Sequence, residues 1–362
     1  MKHTRFHAIH LQHVAKMVSF AGFEMPIQYP TGILREHQIV RTGVGVFDVS
    51  HMGEFQVTGP DALAFIQKIT INDASKLTPG KAQYSAMCRL NGGIVDDLLV
   101  YHTGENAYML VVNGANIEKD LAWVMENTAG FNVSVTDASN EINLLAVQGP
   151  KSLEVLQRLT NQPLADIPYY SFVEGELAGV PMIISRTGYT GEIGCELYFS
   201  GDDGICRAVA ERLFDAGSPE DIAWIGLGAR DTLRLEKGFC LYGNDIDETT
   251  NPIEAGLGWI TKLAKGAFNG SDVIAGVKEQ GAPRKLVGFA MQTEKLIPRQ
   301  GYEIVANGET VGRVTSGNTS PGLSTGIGLG YVPTALSAPG TIIEIKARGT
   351  TFPAEVRKLP LA

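Results

Sequence analysis

The sequence predicts an α+β fold: two related α+β lobes, then a small all-β barrel or sandwich. Three observations predict it. Strand-like and helix-like stretches alternate through roughly the first 260 of the 362 residues. One strand–turn–helix pattern occurs twice within that part. Beyond Lys285 helical periodicity disappears, close to where the charge balance changes sign.

In the first part, residues 84–90, 94–101, 107–112, 142–147 and 181–186 are strand candidates. Residues 60–70, 116–126, 150–160, 204–216 and 226–237 carry apolar side chains at helical spacing. The repeat aligns residues 55–70 with 145–160. Identical pairs are Val57/Val147, Gly59/Gly149, Pro60/Pro150, Leu63/Leu153, Gln67/Gln157 and Thr70/Thr160. Each copy reads as a strand, a Gly turn, a Pro near the first helical position, and a helix with apolar residues at i, i+3 and i+6. Two copies fall short of the three or so that a solenoid needs, which leaves two related lobes packed together. In the last part, residues 287–292, 302–306, 309–315, 328–332, 341–345 and 351–357 are short strand candidates separated by Gly, Pro, Asn and Ser. The boundary falls near residues 276–283.

Composition bounds the function. With 44% hydrophobic and 19% charged residues the chain can build real cores. A net charge of −9 argues against non-specific binding to nucleic acid or an anionic membrane. The charge is uneven: residues 281–362 hold nine Lys/Arg against five Asp/Glu, a net of +4, leaving −13 for residues 1–280. A basic C-terminal part on an acidic body suggests a separate domain and an acidic partner or ligand, with chance composition as the other reading. Cys88, Cys195, Cys206 and Cys240 form no C-x-x-C pair and read as reduced, buried thiols. No apolar run is long enough for a membrane-spanning helix, and the N-terminus resembles no signal or transit peptide, so the expected compartment is the cytoplasm.

Three segments can carry chemistry. The first is Asn91-Gly-Gly-Ile-Val-Asp96-Asp97-Leu-Leu-Val-Tyr101, a hairpin signal followed by two carboxylates entering an apolar strand. Alternation sends them to opposite faces, so one can serve a proton or a positive centre. A hairpin end solvating its charges is the other reading. The second is Gly188-Tyr-Thr-Gly-Glu192-Ile-Gly-Cys-Glu196-Leu197, a Gly-rich loop bearing two acids. A carboxylate there can accept two parallel N–H bonds from an amidine-like ring edge such as a pterin or guanine; solvated acids on a wide turn are the alternative. The third is a helix in which Arg230, Arg234 and Lys237 share a face, fit either for an anion or for pairing with Asp231 and Glu236.

Other motifs fail. Gly326-x-Gly328-x-Gly330 runs into strand-like sequence instead of opening a helix, no phosphate-binding loop exists, and Asp245-Ile-Asp247-Glu-Thr249 lacks the Gly and final Glu of a calcium loop. His7, His10 and His13 can ligate a metal, but no Cys or acid in that stretch completes a site. Tyr84, Tyr101, Tyr169, Tyr170, Tyr189 and Tyr242 flank the candidate loops, where they can serve core packing or form a stacking wall for a planar ligand.

Together these segments resemble one family. They are Lys16-Met-Val-Ser-Phe-Ala-Gly-Phe-Glu-Met-Pro-Ile-Gln-Tyr29, Phe47-Asp-Val-Ser-His-Met-Gly-Glu54, Gly92-Gly-Ile-Val-Asp-Asp97, Gly188-Tyr-Thr-Gly-Glu-Ile-Gly-Cys-Glu196 and Ala229-Arg-Asp-Thr-Leu-Arg-Leu-Glu236, followed by Leu241-Tyr-Gly-Asn-Asp-Ile-Asp247. In this order they look like the glycine cleavage system T-protein family, the aminomethyltransferases, over nearly the whole chain.

The resemblance implies a three-lobed cloverleaf around a central channel: residues 1–275 as two intertwined folate-binding lobes, roughly 1–50 with 140–275 and 51–139, and residues 276–362 as the β-barrel. It implies transfer of a one-carbon unit from the aminomethyl-dihydrolipoyl arm of H-protein to tetrahydrofolate, giving 5,10-methylenetetrahydrofolate and ammonia. Tetrahydrofolate, as co-substrate, would carry the difficult chemistry without a metal. The family's catalytic aspartate falls on Asp97, its pterin-binding glutamate on Glu196 and a ligand-site arginine on Arg230. Met52, Tyr84, Tyr169 and Tyr189 match channel-lining positions, which leaves Asp96 and Glu192 structural or solvent-facing. Two alternatives use the same scaffold: a tetrahydrofolate-dependent demethylase of a small sulfonium or methylamine, and a non-enzymatic folate-binding protein of iron–sulfur assembly. The latter carries Lys-Gly-Cys-x-x-Gly-Gln-Glu, whereas Lys237-Gly-Phe-Cys240-Leu-Tyr-Gly-Asn244-Asp245 displaces the Cys and lacks the Gln-Glu.

Overall fold

In the computed structural model, which describes residues 1–217 and 222–362, the two copies of the repeat form the same turn. Strand Gly53–Thr58 hands over at Gly59 to helix Ala62–Ile69, and strand Ile142–Gln148 hands over at Gly149 to helix Ser152–Gln157. Gly59 has φ +134° and Gly149 has φ +133°. A Cβ would lie 2.4 Å from the Asn132 carbonyl oxygen at Gly59, and 2.2 Å from the Gly43 carbonyl oxygen at Gly149. Neither the backbone angle nor the space admits an L side chain, so the repeated glycine is dictated by the turn. Gly149→Ala is therefore expected to destabilise the chain by about 1–3 kcal/mol, read as a lowered urea midpoint. An unchanged midpoint would remove the turn from this account.

The two repeat strands lie in different sheets. One sheet has the order Lys81–Cys88, Ile94–Gly104, Ala107–Val112, Gly53–Thr58, Ser134–Asp137. The other has the order Phe172–Leu177, Val180–Ser185, Gly194–Ser200, Ile142–Gln148, Val44–Asp48, Ile222–Trp224, antiparallel except for the last pair. Alternate residues of this second sheet, among them Val44, Val46, Leu145, Val147, Leu197 and Phe199, form a core with Cys206, Val209 and Leu213 of helix Asp203–Gly217.

The chain divides into two compact units. The first comprises Met1–Ile66, Ala74–Tyr84 and Leu98–Arg230; the second comprises Gln67–Asp73, Ser85–Asp97 and Asp231–Ala362. The second unit contains a closed barrel in the order Arg284–Met291, Thr325–Pro333, Glu309–Ser320, Glu303–Ala306, Ile342–Ala347, Thr350–Arg357, the last strand pairing back on the first. Its interior is filled by alternate apolar residues such as Val287, Phe289, Met291, Ile343, Ile345, Ala354 and Val356. All six expected strands are present, and Gly326, Gly328 and Gly330 lie in one of them, away from any helix start.

Among the departures from the sequence reading are two in the second unit. Helix Ser271–Gln280 has no counterpart in it, because Ile274 is its one buried residue and Gly276 interrupts the pattern. Strand Glu309–Ser320 runs past the expected end at Thr315, through a register shift between Val314 and Ser316 and into polar sequence. The basic character of the barrel is partly neutralised. Arg284 pairs with Glu254 at 3.2 Å, Lys346 with Glu303 at 3.0 Å and Arg357 with Glu355 at 3.2 Å, whereas Lys285, Arg348 and Lys358 are exposed. All four cysteines are free and buried. No helix of the described residues is long and apolar enough to cross a membrane.

Candidate functional site

In the first unit, strand Gly194–Ser200 turns Cys195 into the core and Glu196 to the opposite face. The Glu196 Oε2 accepts hydrogen bonds from the Thr187 hydroxyl at 2.5 Å and the Tyr198 hydroxyl at 3.4 Å. A second layer supports these donors. The Tyr101 hydroxyl lies 3.0 Å from Ser185 Oγ, 3.1 Å from Thr187 Oγ1 and 3.1 Å from the Tyr198 hydroxyl. Burial raises the Glu196 carboxyl above the usual carboxylate range, while Thr187, the Arg230 charge and Tyr198 work against that rise. Arg230 sits 4.5 Å over the Tyr189 ring, a cation–π contact that fixes both groups. Tyr169 is 60% exposed and meets Tyr170 edge-on at 4.7 Å; the Glu196 charge contributes to raising its hydroxyl, behind burial.

Glu196, Arg230, Tyr189 and Tyr169 therefore belong to one neighbourhood of this unit. Met52 and Tyr84 are half-buried in the same unit, Met52 at the end of a turn closed by its N–H on the Val49 carbonyl. Glu192 is a brace: its Oε1 takes Arg41 Nη1 at 2.9 Å, and the same nitrogen holds the Thr190 carbonyl at 2.7 Å. Tyr101 serves the hydroxyl network from full burial, so it is a packing and hydrogen-bonding residue and forms no part of a stacking wall.

Two members of the Ser50-His-Met-Gly-Glu54 run escaped the residue-by-residue reading. His51 is buried with its Nδ1 unpartnered, and burial together with the Arg230 charge pushes its pKa down to about 4 against the opposing Asp48. A histidine held neutral when folded, with an ordinary value near 6.5 when unfolded, contributes stability above that value. The contribution is lost as pH falls from about 6.5 towards 4. Urea melts at pH 7 and pH 5 are expected to show this loss, and His51→Phe is expected to flatten it. Glu54 is buried as well, with both carboxyl oxygens unpartnered.

In the second unit, the turn before strand Ile94–Gly104 is held by Gly92 N–H on the Arg89 carbonyl and by Gly93 N–H on Asn91 Oδ1. The following alternation separates the two acids: Asp96 is fully buried and Asp97 half-buried. Asp97 is therefore the more accessible member of the pair. Burial raises the Cys240 thiol, and the Asp245 and Asp97 charges add to the rise.

Arg234 and Lys237 are engaged otherwise than in an anion site. Arg234 is 1% exposed and donates to Asp231 Oδ1, to Asp245 Oδ2 at 2.8 Å, to the Phe239 carbonyl and to Ser316 Oγ. Lys237 Nζ holds the Ala362 carbonyl oxygen at 2.8 Å.

The histidines of the first helix diverge. His10 Nε2 pairs with Asp48 Oδ2 at 2.9 Å and its Nδ1 meets the Tyr29 hydroxyl, while His13 stacks on Phe214. His7 joins His3 and Glu24, three groups that can hold a metal among the described residues. Both imidazole Nε2 atoms already lie 2.7 and 3.3 Å from Glu24 Oε2. The two rings stack in parallel at 3.8 Å, which aims their lone pairs along parallel lines instead of at one point.

The supports of Glu196 went unread in the sequence. Ser185 and Thr187, two residues apart at a strand end, were the available signal, since that spacing puts both hydroxyls on one face.

Comparison with known proteins shows what the chain as a whole is similar to. Residues 6–265 match the family model described as GCVT N-terminal domain, and residues 284–362 match the glycine cleavage T-protein C-terminal barrel domain. The chain is 54% identical to an aminomethyltransferase of Flavobacterium psychrophilum over 362 residues, covering 99% of both chains. It is 49% identical to one of Halothermothrix orenii over 360 residues, again with 99% of both covered. A crystal structure of glycine cleavage system aminomethyltransferase T from Bartonella henselae superposes with a TM-score of 0.92 at 35% identity, covering 100% of this chain and 98% of that one.

Proposed function

The chain belongs to the glycine cleavage T-protein family, and from that membership we propose that it transfers a one-carbon unit from an aminomethyl group on the lipoyl arm of H-protein to tetrahydrofolate. The products are 5,10-methylenetetrahydrofolate, ammonia and the reduced carrier. The observation that carries this reading is the 54% identity to an aminomethyltransferase across 99% of both chains.

The roles follow from chemistry. Glu196, steadied by Thr187 and Tyr198, accepts the N–H donors of the pterin edge. Arg230, held over Tyr189, supplies positive charge that opposes the upward push of burial on the Glu196 carboxyl. Asp97 faces the positive charge that develops as the aminomethyl carbon becomes iminium-like, or takes the proton released at the folate nitrogen. Met52, Tyr84, Tyr169 and Tyr189 provide apolar and aromatic surface for the planar ring. Holding both reactants out of water supplies proximity and protects the iminium from hydrolysis. The exposed Lys285, Arg348 and Lys358 offer charge to an acidic carrier or to the folate tail.

Calorimetry with tetrahydrofolate tests the pterin assignment. Glu196→Gln replaces one acceptor oxygen with a donor and is expected to weaken binding about tenfold or more. Unchanged affinity would remove Glu196 from the ring edge.

A further inference from the structure

Glu54 lies on strand Gly53–Thr58, whose backbone is fully served at this position. Its N–H donates to Ser139 Oγ at 3.0 Å and its carbonyl accepts from the Ala138 N–H at 2.9 Å. Only the side chain is stranded, 1% exposed and without a hydrogen bond on either oxygen. In the sheet it stands opposite Val111, which stands opposite Leu99, so Glu54 shares a face with Tyr101, whose hydroxyl meets the Tyr198 hydroxyl that donates to Glu196. The charges that reach it most strongly are those of Asp137 and Glu196. A buried, unpaired carboxyl is destabilising, and an apolar side chain of similar size would fill the same space without that penalty. Such a group in a well-paired strand calls for an explanation outside the fold.

We propose that Glu54 is a ligand-contacting residue whose carboxyl hydrogen-bonds the polar edge of the same heteroaromatic ring whose N–H donors Glu196 takes. This rests on the folate reading of Glu196. The two acids are supported unequally. Glu196 has two hydroxyl donors and the Arg230 charge to favour its ionised form, and Glu54 has neither while burial and the neighbouring acids push its carboxyl well up, so of the two Glu54 is the one that favours a proton. An ionised carboxylate only accepts, whereas a protonated one also donates. The pair thus presents acceptors and a donor, the complement of a 2-amino-4-oxo ring with its N–H donors and carbonyl or ring-nitrogen acceptors.

The test compares wild type, Glu54→Gln and Glu54→Met by calorimetry with tetrahydrofolate and by thermal melting. Glu54→Gln keeps a donor and an acceptor and is expected to bind within about threefold of wild type. Glu54→Met is expected to melt at a higher temperature and to bind about tenfold more weakly or worse. Wild-type affinity in a stabilised Glu54→Met would show that the carboxyl touches no ligand and overturn the proposal while leaving the folate reading intact. A Glu54→Met that melts lower or fails to fold would show that the carboxyl is structurally satisfied, and would overturn it too. Absence of tetrahydrofolate binding by wild type would instead sink the folate reading itself.

Discussion

Asp97→Asn is expected to lower tetrahydrofolate-dependent turnover by about 10²–10³-fold while leaving the melting curve close to wild type. The substitution keeps the shape of the side chain and removes its charge. A carboxylate that meets a developing cation does more in the transition state than in the ground state, so the loss belongs in kcat and less in substrate affinity. Asp97 is half-buried, so losing its charge leaves no large desolvation term in the folded state. Its neighbour supplies the control. Asp96 is fully buried on the other face of the strand. Asp96→Asn is expected to act on stability and to leave the turnover of the folded fraction near wild type. Equal loss of turnover in both variants, at unchanged melting, would contradict the assignment of roles by face.

The largest stability effect is expected at Arg234. Its side chain is buried among Asp231, Asp245, Ser316 and the Phe239 carbonyl. Asp245, 0% exposed, receives Arg234, the Leu241 N–H and the Ser316 hydroxyl on Oδ2 and the Thr315 hydroxyl on Oδ1. Arg234→Met leaves the Asp245 charge in place without its cation, a loss of about 3–5 kcal/mol for buried pairs in general. The hydroxyl and backbone donors that remain on Asp245 set the expectation at the lower end, about 3 kcal/mol. Urea denaturation of the second unit's signal reads it. The double variant with Asp245→Asn is expected to recover part of the loss, because it removes the stranded charge. A loss under about 1 kcal/mol for Arg234→Met would mean that the cluster is far better hydrated than its burial indicates.

Much of this architecture was legible because it obeys short-range rules. The repeated Gly-Pro after a strand is readable since one backbone angle, near +134° in both copies, admits glycine and little else. The six barrel strands alternate apolar and polar residues, the pattern of a surface with one buried face. What escaped lacks such a pattern. Helix Ser271–Gln280 has little apolar face to detect. The direction in which Arg234 spends its hydrogen bonds depends on Asp245 and Ser316, 11 and 82 residues away in the chain. The same holds at the site. The two acids of residues 188–197 were visible as a pair, but their division into a brace and an acceptor depends on Arg41 and Thr187, which only the folded chain brings to them. Glu54 was invisible for the opposite reason, since nothing in a strand sequence marks an acid that will find no partner.

The central claim is that this chain moves a one-carbon unit from a carrier-bound aminomethyl group to tetrahydrofolate. The most direct measurement mixes aminomethyl-loaded H-protein with the chain and follows ammonia, with and without tetrahydrofolate. The expected result is ammonia release that depends on both the chain and tetrahydrofolate, matched mole for mole by 5,10-methylenetetrahydrofolate. Ammonia release that is the same with and without tetrahydrofolate, or none above the enzyme-free rate, would contradict it.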